Sequence, residues 1–204
     1  MLYVNVGDYK NVWDELIRDN PQMRELATEH FDNWKDTKAF ATKALSASQI
    51  NNSDVVTDNN RDDNSKNITA DNSSEDTSDN ITGIHGFYHK NIFEAVYCTN
   101  LLMRSADVLV TKPSELAFYP VPKLFIKRVG GHEQWGAVHS AEIGDGTLEC
   151  RDIPHTLQMI KLFMEDDTYI IDMCKNIKKN KQMGIYNGAY EAVKLAVNMK
   201  KSDI

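Results

Sequence analysis

Apolar positions along the chain change their period several times, and each change marks an element. Leu2-Tyr-Val-Asn-Val6 is a short strand-like run that stops at Gly7-Asp8, the opening of a strand–helix unit. Val12, Trp13, Leu16 and Ile17 recur at helical spacing. Pro21 predicts the start of a second helix with Met23, Leu26, Ala27 and Phe31 on its face, and Asp32–Leu45 a third carrying Trp34, Ala41, Ala44 and Leu45. The pattern then lapses over residues 46–82. It resumes with a helix over Asn91–Arg104, and Asp107–Thr111 follows as a strand buried on both faces. Pro113 suits a helix's first turn, and Leu124–Ile126 reads as a second buried strand. Leu148–Cys150 fits a short edge strand. Asp152-Ile-Pro154 opens a helix that runs to Phe163, and Asp167 is placed to cap the next. Gly184 interrupts, and Ala189, Val193, Ala196 and Val197 define a last helix.

Composition explains the gap. Asn, Asp, Ser and Thr dominate residues 46–82, and such a segment cannot bury enough surface to offset its ordering entropy, so it is expected to be a disordered insert. Residues 51–80 hold eight acidic and two basic groups, a net of −6, against −7 for the whole chain. The remainder is therefore near neutral and has no basic stripe, which argues against nucleic acid as a partner. The sequence divides into 1–45, a first strand–helix portion; 46–82, the acidic insert; and 83–204, the main α/β portion. Cys98, Cys150 and Cys174 are odd in number and far apart, as expected of reduced thiols in a cytoplasmic protein. No signal peptide is evident, and no apolar run approaches a transmembrane length.

Strands alternating with helices imply parallel βαβ units, which bind ligands beyond the carboxyl ends of their strands. Two breaks lie at such ends: Thr111–Glu115 and Arg128–Glu133. A helix start at Ser114 with a carboxylate at Glu115, and paired Gly130-Gly131 before His132-Glu133, are the groups a phosphate-bearing ligand would need. Each has a plainer alternative. Glu115 is equally suited to complement a helix dipole, Gly-Gly-His-Glu to cap a helix, and Gly7 to make a simple turn. His85, His89, His139 and His155 show no metal-ligand spacing, and Ser114 and Ser140 lack a nucleophile-elbow motif.

Gly86-Phe87, then Ala106-Asp-Val-Leu-Val-Thr-Lys-Pro113, then Glu115 seven residues before Pro122, then Gly131-His-Glu133 and Gly144-Asp-Gly146 form an ordered set. The set resembles the nucleotide-sugar half of GT-B glycosyltransferases, in the branch of monogalactosyldiacylglycerol synthase and the peptidoglycan N-acetylglucosamine transferase. The resemblance implies a Rossmann-like three-layer α/β domain with a short parallel sheet, interrupted by the acidic insert. It implies a UDP-sugar as ligand, with Glu115 on the ribose. Ser114, Gly130, Gly131, His132, Glu133 and Gly7 complete the implied site: His132 toward a phosphate, Glu133 toward sugar hydroxyls. In the family the loop before the ribose Glu is longer and glycine-bearing, whereas here it is cut to Pro113-Ser114, and proline has no N–H to offer. The acceptor site and catalytic base lie on the family's other half, so transfer would need that half or a partner subunit. No catalytic residue, metal or cofactor is assigned, and peripheral membrane association stays open. The rival class is a non-catalytic α/β interaction or structural module.

Overall fold

In the computed structural model, which describes residues 1–53 and 81–202, the middle strand of the main sheet is the last to be reached along the chain. β3 (Ile84–Tyr88) lies between β1 (Leu2–Asn5) and β2 (Ala27–Phe31), parallel to both, with Ile84 opposite Leu2 on one side and Ala27 on the other. Its backbone divides between them. Leu2 donates to the Gly83 carbonyl and Val6 to that of Phe87, while Ile84 donates to the Leu26 carbonyl and Asp32 to that of Tyr88. The fold is thus mixed α/β around a short, open parallel sheet.

One face of this sheet carries α1 (Lys10–Asp19), which buries Trp13 and Ile17. Gly86 allows that packing, since a Cβ there would stand 2.5 Å from the Trp13 ring. The Trp13 indole N–H donates to Glu29 on β2, at 2.8 Å. On the other face, Phe87, Cys98 and Leu102 form a core with Tyr3, Trp34 and Phe40, drawn from α2 (Trp34–Ser53) and α3 (Ile92–Leu102). Asn91 caps α3, its side chain accepting from the Phe93 amide.

The helix expected after Pro21 is one short 3-10 turn, Pro21–Met23, followed by β2. Ala27, Glu29 and Phe31 share one side of β2 and Thr28 and His30 the other. The one buried position of β2 is polar, His30, which is satisfied by Asp36 and His85, while the exposed Glu29 accepts from Trp13, so hydropathy alone does not alternate here. α2 also continues through Ser53, beyond the point where the insert was expected to begin. The expected disorder of the stretch otherwise falls on residues 54–80, outside the described residues.

Residues 1–105 form one compact unit and 106–204 another. Ile84–Ser105 therefore groups with the first portion, because β3 is the strand that joins β1 to β2, whereas composition placed a boundary at residue 82.

In the second unit β4 (Leu109–Thr111) pairs in parallel with β5 (Lys123–Phe125). Both strands were expected to be buried on both faces. β5 is, but Val110 of β4 is 48% exposed, since a two-stranded sheet leaves its outer strand partly uncovered. Leu148–Cys150 forms no strand; instead Thr147 donates to the Lys123 carbonyl and Cys150 to that of Phe125, so the chain runs beside β5 without a full ladder. Phe125 packs with Ala117 and with Ala137 of α4 (Gln134–Glu142). Leu124 packs with Cys150 and Phe163, the latter from α5 (Ile153–Glu165), and α6 (Thr168–Gln182) adds Ile170 and Met173. α5 opens at Asp152 as expected, and the Asp152 side chain caps it by accepting from the His155 amide. At α6 the capping oxygen belongs to Asp166, which accepts from the Thr168 amide, and not to Asp167. Gly184 takes a left-handed conformation, φ 77°, before the last helix, α7 (Gly188–Ser202). Among the described residues no helix is long and apolar enough to cross a membrane.

Beneath α4 lies a polar network with no exposed side-chain surface on its central pair. Lys123 Nζ reaches Asp145 at 2.8 Å and donates to the Tyr119 and Val121 carbonyls at 2.7 and 3.0 Å. Ser140 donates to the first carboxylate oxygen of Asp145, and the Tyr186 hydroxyl to the second at 2.8 Å. Burial pushes the Lys123 ammonium below its ordinary pKa against the pull of Asp145. Burial and the bond to Asp145 together push Tyr186 up to about 12.

Candidate ligand site at the β4–β5 strand ends

β4 and β5 end side by side, and Lys112, the residue after β4, reaches across to the loop that follows β5. Its Nζ lies 2.6 Å from Glu133 Oε1. The other oxygen of Glu133 accepts from the amides of Val129 and Gly130, at 2.8 and 3.1 Å. This is the reciprocal half of a capping box at the 3-10 turn Gly131–Glu133 that leads into α4. The bond from Lys112 and those two amides hold Glu133 at a pKa of about 2. Both oxygens are thus committed to the protein, and the side chain is buried. Glu133, expected to accept from sugar hydroxyls, instead clamps the two strand ends.

Glu115 and Ser114 stand at the start of a second 3-10 turn, Glu115–Phe118. The Glu115 carboxylate is exposed, and its own backbone N–H and the Ser114 hydroxyl lower its pKa, with Lys112 adding to the effect. Pro113 is buried, and its carbonyl is the close neighbour of Gly136, where a Cβ would stand 2.5 Å from that oxygen. That contact seats α4 against the loop. The Ser114 amide donates to the Lys112 carbonyl at 2.8 Å, which removes one more donor from the shortened loop.

The Gly130 and Val129 amides serve Glu133, leaving the N–H groups of Gly131 and His132 at the open start of the turn and α4. His132 is exposed, with its ring folded over Gly130. So Ser114, Glu115, Gly130, Gly131, His132 and Glu133 gather around Lys112. Gly7 belongs to the other unit. It adopts φ 61°, its amide donates to Asn5 Oδ1, and its carbonyl accepts from His89, the bonds of a turn at the end of β1.

The sequence reading missed Lys112 as a site residue. Its signal was a lone cation placed immediately after a strand and three residues before Glu115. It is 44% exposed. Among the described residues no three His, Cys, Asp or Glu side chains converge as metal ligands would.

A family model described as a domain of unknown function (DUF6938) matches residues 1–72 and 47–197. The chain belongs to the DUF6938 family. No curated protein and no solved structure matches it. The two DUF6938 matches overlap over residues 47–72 and together take in both strand-end loops of the second unit as well as Gly7.

Proposed function

We propose that this chain is the donor-binding half of a glycosyltransferase-like protein and that it holds a UDP-sugar at the carboxyl ends of β4 and β5. The observation that carries the reading is the convergence of Glu115, Lys112 and the Gly131–His132 amides on one loop pair. Glu115 offers an exposed, ionised carboxylate for the ribose hydroxyls. The Gly131 and His132 amides at the start of the turn into α4 favour an anion, and Lys112 adds positive charge beside them. Glu133 keeps the loops in place and does not itself touch the ligand. A Rossmann-like three-layer arrangement belongs to the same proposal. Its support is a parallel sheet with α1 on one face and α2 and α3 on the other. Transfer itself would require an acceptor-binding half or partner subunit.

The second reading is a non-catalytic interaction module. It is favoured by the full commitment of Glu133 and by the exposed apolar row Ile92, Phe93, Val96 and Tyr97 on α3. Calorimetry with UDP and UDP-sugars separates the two. Donor binding predicts micromolar affinity that is lost in Glu115→Ala while circular dichroism and melting stay unchanged. Absence of heat at millimolar ligand from folded protein would reject donor binding and leave the module.

A further inference from the structure

A line of polar groups runs through the first unit, between the sheet and α2. Asp36 Oδ2 lies 2.6 Å from His30 Nδ1, His30 Nε2 lies 3.1 Å from His85 Nδ1, and His85 Nε2 lies 3.0 Å from the Thr82 carbonyl. Both rings are buried, while Asp36 is 45% exposed and connects the line to solvent. Each of the three contacts needs one hydrogen. The two ends are a carboxylate and a carbonyl, which only accept, so His30 Nδ1 and His85 Nε2 must both carry N–H. The central nitrogen pair needs a third. Two neutral imidazoles carry only two.

We infer that the His30–His85 pair is a proton-binding switch, holding one shared proton between the rings with Asp36 as its counter-charge. With the proton bound, β2, β3, the first turn of α2 and Thr82 are tied in one line. Without it, one of the three contacts has no hydrogen and opens. A second proton also breaks the line, because both central nitrogens would then be donors. The linked form therefore exists over a window of pH, bounded on both sides.

The surroundings fit a single charge. Phe87 stacks on His30 with ring centroids 4.7 Å apart, and Phe40 packs against both rings at 4.7 and 4.4 Å. Tyr3 of β1 meets His85 edge-on. Asp36 from α2 is the anion on the line. The Met1 amine and His30 itself are the cationic groups that bear on His85. Burial first, then these two charges, lower the His85 pKa, which holds off the second proton.

Nitrogen-15 spectra of the histidine rings in the full chain, recorded from pH 4 to pH 9, test the inference. The expected result is two separated steps, with three of the four ring nitrogens protonated between them. Asp36→Asn removes the counter-charge at a solvent-reaching position, and the upper step should then move down by about 1–3 units, a tenfold or greater loss of proton affinity. His85→Gln should abolish the split and leave His30 with one step. Independent single titrations of the two rings, with His30 unaffected by His85→Gln and the upper step unmoved in Asp36→Asn, would overturn the inference. If His85→Gln does not fold, the Asp36→Asn titration decides alone.

Discussion

Lys123→Met removes the cation from a side-chain network whose centre has no contact with water. Every hydrogen of the Lys123 ammonium is used, one on Asp145 and one each on the Tyr119 and Val121 carbonyls. Methionine matches the stem but leaves the Val121 carbonyl without its donor, the Tyr119 carbonyl with the Val121 amide alone, and the Asp145 carboxylate with only Ser140 and Tyr186. Removing one partner of a buried pair costs about 3–5 kcal/mol. Native domains hold only about 5–15 kcal/mol in total. A unit of this size loses roughly 4–8 °C of melting temperature per kcal/mol, so the variant should melt at least about 12 °C lower. Urea unfolding at pH 7 reads the free energy directly. The partner variant Asp145→Asn should be similarly costly. The double variant should fall short of the sum of the singles by more than about 1 kcal/mol, since neither charge is then left alone. A Lys123→Met protein within about 1 kcal/mol of wild type, or strictly additive variants, would refute the network as a stabilising unit.

Three further outcomes follow from the geometry. Gly86→Ala drives a methyl group into the Trp13 ring and should cost about 1–3 kcal/mol by thermal melt, whereas Gly131→Ala, which meets nothing within 4 Å, should be close to neutral; equal melting points would contradict the packing of α1. The Glu133 pKa is depressed from 4.5 to about 2, so its contribution to stability is present above its unfolded value and is lost as pH falls toward about 2. Carbonyl-carbon NMR should show that Lys112→Met raises this pKa, and an unmoved titration would deny the clamp. His89 is wholly buried, with its Nδ1 unpartnered and 3.7 Å from Glu94, and burial lowers its pKa. A depressed histidine makes the unfolded chain bind more protons. Stability should therefore fall as pH drops from 6.5 toward the folded pKa, and His89→Gln should flatten that slope in urea midpoints between pH 7.5 and pH 5.5. An unchanged slope would place the acid sensitivity elsewhere.

The long periodic segments were legible from sequence as helices, although only part of each expected apolar set is buried: Val12, Ile92 and Val96 are exposed. α1 buries Trp13 and Ile17, and α3 buries Ala95, Cys98 and Leu102. β1, β4 and β5 were visible as short apolar runs. What escaped was polar burial. β2 looked like a helix because its buried side chain is His30, whose partner His85 lies far off in sequence on β3. β3 was given no element from its spacing, and the side chain that Gly86 lacks is what admits Trp13. The Lys123–Asp145 pair spans 22 residues and has no local signature. At the candidate site, the sequence pointed to the two strand-end loops and assigned Glu133 to a ligand. Only the distances show that its oxygens are taken by Lys112 and two amides.

The position of β3 between two strands that precede it sets the order in which the sheet can be completed. β1 and β2 share no hydrogen bonds, so the first 53 residues hold two strands with no ladder between them. On the ribosome, no part of this sheet can close until Ile84–Tyr88 has emerged to fill the gap. A chain stopped before β3 would present both flanking strands with unpaired inner edges and nothing to bridge them.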